Sequence, residues 1–207
     1  MPKFAAGIVV TVALLAVVVQ LALPAYYEGR VEDRLEEKGG SADVSVGAFP
    51  AVTLIGGSGS ELKATGRGLT FDLDDRREDP FGRLDGFEDV ELVLTDVEAG
   101  AIRMSDFELR REGRDAEYVM RVSARATPVE LARELGGAAG GPLGALVGSL
   151  ATGILPGSGS TELPLGLDAR VRSRDGRPEV TDARGSVGGI PAGPLAEVVL
   201  GAVLDRL

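Results

Sequence analysis

Residues 4–23 form an uncharged apolar run in which only Thr11 and Gln20 are polar. A helix of about 20 such residues, rising about 1.5 Å each, matches a hydrocarbon core of about 30 Å. This run constrains the chain more than any other feature, because it demands either a membrane or a deep interior. No polar stripe marks an outer face, so a buried globular helix is the weakest reading. Lys3 on the short side favours a cytoplasmic N-terminus and places the rest of the chain on the extracytoplasmic side. A cleaved signal peptide is the rival. Its apolar region is ordinarily about 7–15 residues long and ends in a small-x-small site. Cleavage after Ala22 or Ala25 would put Gln20 or Leu23 at the third position back. The expectation is therefore a single-pass anchor over 1–24 and one extracytoplasmic domain over 25–207, at the cell membrane. Both alternatives put the domain outside the cytoplasm.

The roughly 180 residues after the anchor suffice for one domain with a sizeable core. Their chemistry excludes several classes. The chain has no Cys and no His. Disulfides, thiol nucleophiles, Ser-His-Asp triads and His/Cys zinc sites are all ruled out. Asn is absent and Gln20 is the one glutamine, so no N-glycosylation acceptor exists. The net charge of −10 argues against nucleic acid, whose phosphates demand a basic patch. It argues equally against loose electrostatic adhesion to anionic lipid. Gly56-Gly57-Ser58-Gly59-Ser60 fails as a nucleophile elbow, and no phosphate-cradling glycine loop occurs. Asp72, Asp74, Asp75, Glu78 and Asp79 are dense but lack the spacing of a calcium loop, and Arg76, Arg77 and Arg83 interleave with them. They read as a solvated loop over 73–83. No cofactor and no metal is expected, and the chain is read as a non-enzyme.

Pattern then predicts an α+β fold. Pro24 is expected to end or bend the first helix. Tyr27, Val31 and Leu35 form one stripe of an amphipathic helix over 26–38 that stops at Gly39-Gly40. Strand alternation follows at Val44 and Val46, continues through Val52 and Leu54, and resumes over 62–73 with Leu69, Phe71 and Leu73 on one face. Val90, Leu92 and Leu94 alternate with Glu91, Val93 and Thr95, and Tyr118, Met120, Val122 and Ala124 alternate with Val119, Arg121, Ser123 and Arg125. The phase changes between Ile102/Met104 and Phe107/Leu109, which predicts a bulge near Ser105-Asp106. Thr127-Pro128-Val129-Glu130 reads as a helix start. Residues 142–155 are apolar and glycine-rich but too short to span a bilayer. Strands over 163–171 and 180–187 flank an Asp175-Gly176 hairpin signal, and 194–207 reads as an amphipathic helix. The whole suggests a meander-like antiparallel sheet with flanking helices.

The anchor is followed by Leu23-Pro24-Ala25-Tyr26, then by Gly39-Gly40-Ser41-Ala42-Asp43-Val44 and Ala48-Phe49-Pro50-Ala51-Val52-Thr53-Leu54. Gly66-Arg67-Gly68-Leu69 and Leu84-Asp85-Gly86-Phe87-Glu88-Asp89-Val90, running into Leu94-Thr95-Asp96-Val97, complete the order. In these signatures and their order the chain resembles the DUF2993 family of actinobacterial envelope proteins. The resemblance implies a tubular-lipid-binding-like fold, a long curved antiparallel sheet wrapped around helices with an apolar groove. It also implies phospholipid binding and a part in envelope lipoglycan (mannan-type) biogenesis. Leu69, Phe71, Val90, Leu92, Leu94, Met120 and Val122 are the expected groove lining. Arg67, Arg103, Arg121 and Arg125 are the candidate head-group ligands, since a guanidinium fork suits phosphate. Phospholipid and the membrane are the expected partners. A membrane-tethered scaffold or chaperone for an envelope glycosyltransferase is the alternative function.

Overall fold

The computed structural model describes residues 2–37, 39–71, 80–100, 102–127, 162–174 and 176–191, with side chains of the first helix from Val17 onward. The helices expected from residue 128 onward, the acidic loop over 72–79 and the chain after 191 lie outside the described residues. The order is helix α1 (Pro2–Glu36), strand β1 (Ser41–Gly47), a 3-10 helix η1 (Ala51–Gly56), β2 (Gly59–Arg67), β3 (Thr70–Phe71), helix α2 (Pro80–Asp85), β4 (Phe87–Ala99), β5 (Ile102–Arg111), β6 (Tyr118–Ala126), β7 (Leu163–Arg174), β8 (Arg177–Val187) and β9 (Ile190–Pro191).

Among the described residues, seven long strands and two two-residue strands make one open sheet, ordered β1-β2-β4-β5-β6-β7-β8-β9 with β3 on β4. From β4 to β9 every neighbour is antiparallel, as the alternation predicts. The exceptions are β2 and β3, which both pair with β4 in parallel, Ala64 opposite Leu92 and Phe71 opposite Ala99. A parallel pair needs a crossover, and residues 68–86 provide the connection. The register slips between Met104 and Asp106, where the phase change placed a bulge. Arg174 pairs with Arg177, so β7 and β8 are neighbours at the turn that includes Gly176.

Four expectations are corrected. The first helix does not end at Pro24: α1 runs through it to Glu36. Val52 and Leu54 lie in η1, not in a strand. The expected strand over 62–73 divides into β2 and β3 at Gly68, whose φ of 65° suits glycine. The loop expected over 73–83 also gives way to α2 from Pro80, with proline at a helix start where its missing N–H costs nothing.

Among the described residues no helix is long and apolar enough to cross a membrane. Most of the 4–23 run precedes Val17, where side-chain description of α1 begins.

The C-terminal half of α1 lies along the free edge of β1. Leu23, Tyr27, Val31 and Leu35 pack on Val44, Val46, Ala48, Leu54 and Ala64. Beside this stripe, Glu28, Glu32 and Glu36 accept hydrogen bonds from the backbone N–H groups of Val46 (2.8 Å), Val44 (2.9 Å) and Ala42 (2.7 Å). The spacing explains the fit. Four helical residues advance about 6 Å, and two strand residues about 6.8 Å. Three carboxylates thus stand in for a missing strand. An unprotected edge invites pairing with other chains, and here a helix closes it.

Candidate functional site

Alternation along seven strands puts one apolar row after another on a single face of the sheet. The first row is Val44, Ala64, Leu92, Leu109, Met120, Ala169 and Ala183. The next is Gly66, Leu94, Phe107, Val122, Leu167 and Gly185. Burial differs along the strands. Val90, Leu109, Tyr118, Met120 and Val171 are buried, whereas Leu94, Phe107, Val122, Leu165 and Leu167 are half-buried. The face is therefore dry at one end and partly open in its middle.

The dry end is closed by α2 and a polar lock. Phe81 of α2 packs edge-on against Tyr118, centroids 5.0 Å apart. Asp85 ends α2, and its carboxylate accepts hydrogen bonds from Arg111 Nη1 (2.9 Å), Tyr118 Oη (2.8 Å) and Ser173 Oγ. Arg111, only 3% exposed, also donates to the carbonyls of Leu84 and Phe87 and sits 4.6 Å over the Tyr118 ring. Burial, followed by the hydrogen bond to Asp85, pushes the Tyr118 hydroxyl well above the ordinary tyrosine range. Tyr118 is therefore a fixed donor, and the Arg111–Asp85 pair ties strands β4, β5, β6 and β7 to α2. Arg111 Nε has no hydrogen-bond partner among the described residues.

The motif Leu84-Asp85-Gly86-Phe87, singled out in the sequence, is the hinge of this lock. Gly86 accepts a hydrogen bond from Gly59 N, and a Cβ on it would overlap the Gly57 carbonyl oxygen. Sequence reasoning gave the motif no chemistry and did not name Arg111, Tyr118 or Ser173. An arginine in the apolar phase of β5, two residues after Leu109, was the available signal.

The expected groove residues gather on the apolar face. Val90 and Met120 are buried, Leu92, Leu94 and Val122 are half-buried, and Leu69 is fully buried beside Gly66. Phe71 is in β3, and its side chain lies outside the described set. The expected head-group arginines are not brought together there. Arg67, Arg103, Arg121 and Arg125 alternate onto the opposite, polar face and are exposed. Arg103 stands opposite Arg125 and pairs with Glu162 at 2.8 Å. Arg121 approaches Glu108 and Asp168 at 3.5 and 3.6 Å, and Arg67 Nε reaches Thr95 Oγ1 at 3.4 Å. This leaves the head-group contact without an assigned side chain.

Among the described residues no group of three or more Asp or Glu could hold a metal. The architecture defines the class: an α+β domain whose open, mostly antiparallel sheet carries one long apolar face, one end of it under a short helix. No protein-family model, no curated protein and no solved structure matches the chain significantly.

Proposed function

We propose that the chain is a membrane-anchored, extracytoplasmic phospholipid-binding protein whose apolar sheet face holds acyl chains. The observation that carries the reading is the half-buried row Leu94, Phe107, Val122 and Leu167, continuous across four adjacent strands. An ordinary two-layer core tends to exclude water at its centre and leave its ends wet. This face is buried at the α2 end and again at Val97, Ala99, Ala124 and Ala126 toward the other end, and more open in the middle. Each methylene moved from water onto such a surface gains about 0.8 kcal/mol, so two acyl chains outweigh the ordering cost of binding. In this reading the fold is tubular-lipid-binding-like, the sheet curves around the helices expected from sequence after residue 127, and residues 4–23 are the anchor. The lipid serves envelope lipid or lipoglycan biogenesis, alongside an envelope glycosyltransferase.

The test is lipid extraction from full-length protein purified in mild detergent, read by mass spectrometry. A stoichiometric phospholipid is expected. Val122→Glu or Leu167→Glu should strip it while cooperative urea unfolding persists. A wild-type protein that is folded yet carries no phospholipid, and takes none from added vesicles, overturns the proposal. An anchored scaffold is then the surviving reading.

A further inference from the structure

The loop between β1 and β2 is out of character for this chain. Residues 47–60 carry no charge, although charged residues make up 26% of the whole. Along the loop, from Ala48 through η1, side chains sort at a three-residue spacing, which within η1 is the period of a 3-10 helix. Ala48, Ala51 and Leu54 turn inward, with Ala51 at 1% and Leu54 at 2% exposure. Phe49, Val52 and Ile55, one residue on in each case, are 87%, 51% and 66% exposed. A regular outward stripe of Phe, Val and Ile is a costly thing to leave in water.

Part of the loop's hydrogen bonding is internal. Thr53 N and Oγ1 both donate to Pro50 O, Gly57 N to Leu54 O, and Ser58 N to Thr53 O. Gln20 supplies two more bonds. Its Nε2 donates to Ala48 O and its Oε1 accepts from Ala51 N, both at 2.7 Å. The sole glutamine of the chain, and the most polar residue in the 4–23 run, thus has both ends of its amide spent on this loop. A polar residue must be so satisfied to sit at hydrocarbon depth.

Gln20 also fixes the level of the loop. It lies three residues before the end of the apolar run, or about 4.5 Å along the helix axis. The surrounding surface of α1 at this level is apolar and exposed at Val17, Val18, Val19 and Leu21. One to two turns further on, the exposed Tyr26 accepts a hydrogen bond from Arg30 Nη1 (2.8 Å), an aromatic and a cation at the height where a bilayer meets water. The edge carboxylates begin at Glu28, just past Tyr26.

We infer that η1 is a second membrane contact: Phe49, Val52 and Ile55 enter the outer leaflet beside α1, seating the domain on the bilayer. The occupant is the acyl-chain region of a lipid bilayer, because the loop is uncharged and the protein is acidic overall. The inference rests on residues 4–23 being the anchor. With α1 continuous through Pro24, the two contacts hold the domain at a fixed height and tilt, so the anchor acts as a rigid post.

Because the chain has no cysteine, single-cysteine variants report one site each. Phe49→Cys, Val52→Cys, Ile55→Cys, Val18→Cys and Arg184→Cys in the full chain are labelled with an environment-sensitive fluorophore. The proteins are then reconstituted into phosphatidylcholine vesicles with or without nitroxide-labelled acyl chains. Labels at 49, 52 and 55 should shift to the blue and be quenched several-fold, like that at 18, and independently of salt. The label at 184 should do neither. Quenching at 18 with none at 49, 52 and 55 overturns the inference and leaves the anchor standing. Absence of quenching at 18 refutes the anchor itself, and the inference with it.

Discussion

The carboxylate ladder of α1 makes the strongest demand on the fold. Val44 and Val46 are buried, and their N–H groups have Glu32 and Glu28 as acceptors. Glu32→Ala removes one acceptor and strands a buried donor, which costs about 1–3 kcal/mol. Alanine returns a few tenths of a kcal/mol through helix propensity, leaving a net loss of about 1–2 kcal/mol. The Glu28→Ala, Glu32→Ala double variant should lose about 2–4 kcal/mol, a large part of a typical stability of about 5–15 kcal/mol. Glu32→Gln keeps an acceptor oxygen and loses only the charge-assisted share of the bond, so it should fall between wild type and Glu32→Ala. Exposed Asp33, one position along on the same helix, is the control. The assay is urea unfolding of the full chain in detergent, followed by far-ultraviolet circular dichroism, with the slope checked for constancy. Amide hydrogen exchange should quicken at 44 and 46 before the rest of the sheet. If Glu32→Ala costs no more than Asp33→Ala, the ladder is ornamental and the account of the β1 edge is wrong.

Three other outcomes follow from the lock at the end of the apolar face. Asp85→Asn leaves the Arg111 cation buried without its counter-charge and should cost about 3–5 kcal/mol by chemical denaturation. Tyr118→Phe should cost about 1–2 kcal/mol at neutral pH. Its folded-state pKa lies above the unfolded value, so Tyr118 contributes stability that is complete below about pH 10 and lost as pH rises further. The phenylalanine variant should show a weaker alkaline fall between about pH 10 and 12. Gly86→Ala forces a Cβ onto the Gly57 carbonyl and should cost at least about 1–3 kcal/mol, visible as a lowered melting temperature.

Much of the sheet was legible because period-two alternation is local. The strands from Val90 onward, the bulge near Ser105 and the Asp-Gly hairpin all follow from it. The misread segments have local causes as well. Val52 and Leu54 alternate as a strand would, yet Ala51 and Leu54 face inward at a spacing of three, which a short window cannot separate from two. Pro24 breaks a helix by propensity, but packing of Leu23 and Tyr27 against β1 carries α1 through it. The arginines of the strands were legible as strand residues. Their common polar face follows from parity with the apolar residues on either side, which assigns each to a face but not to a ligand.

The sequence by itself determined an apolar N-terminal run, an acidic chain without Cys or His, and a succession of amphipathic strands. These depend only on the order of side chains along the backbone. Only the tertiary structure decided that β2 joins β4 in parallel, that Glu28, Glu32 and Glu36 serve as the neighbour of β1, that Asp85 gathers Arg111, Tyr118 and Ser173, and that Gln20 reaches the Phe49 loop. Each joins residues far apart in the chain, or matches a 6 Å helical step to a strand step of about 6.8 Å. Such coincidences of distance exist only once the elements have packed.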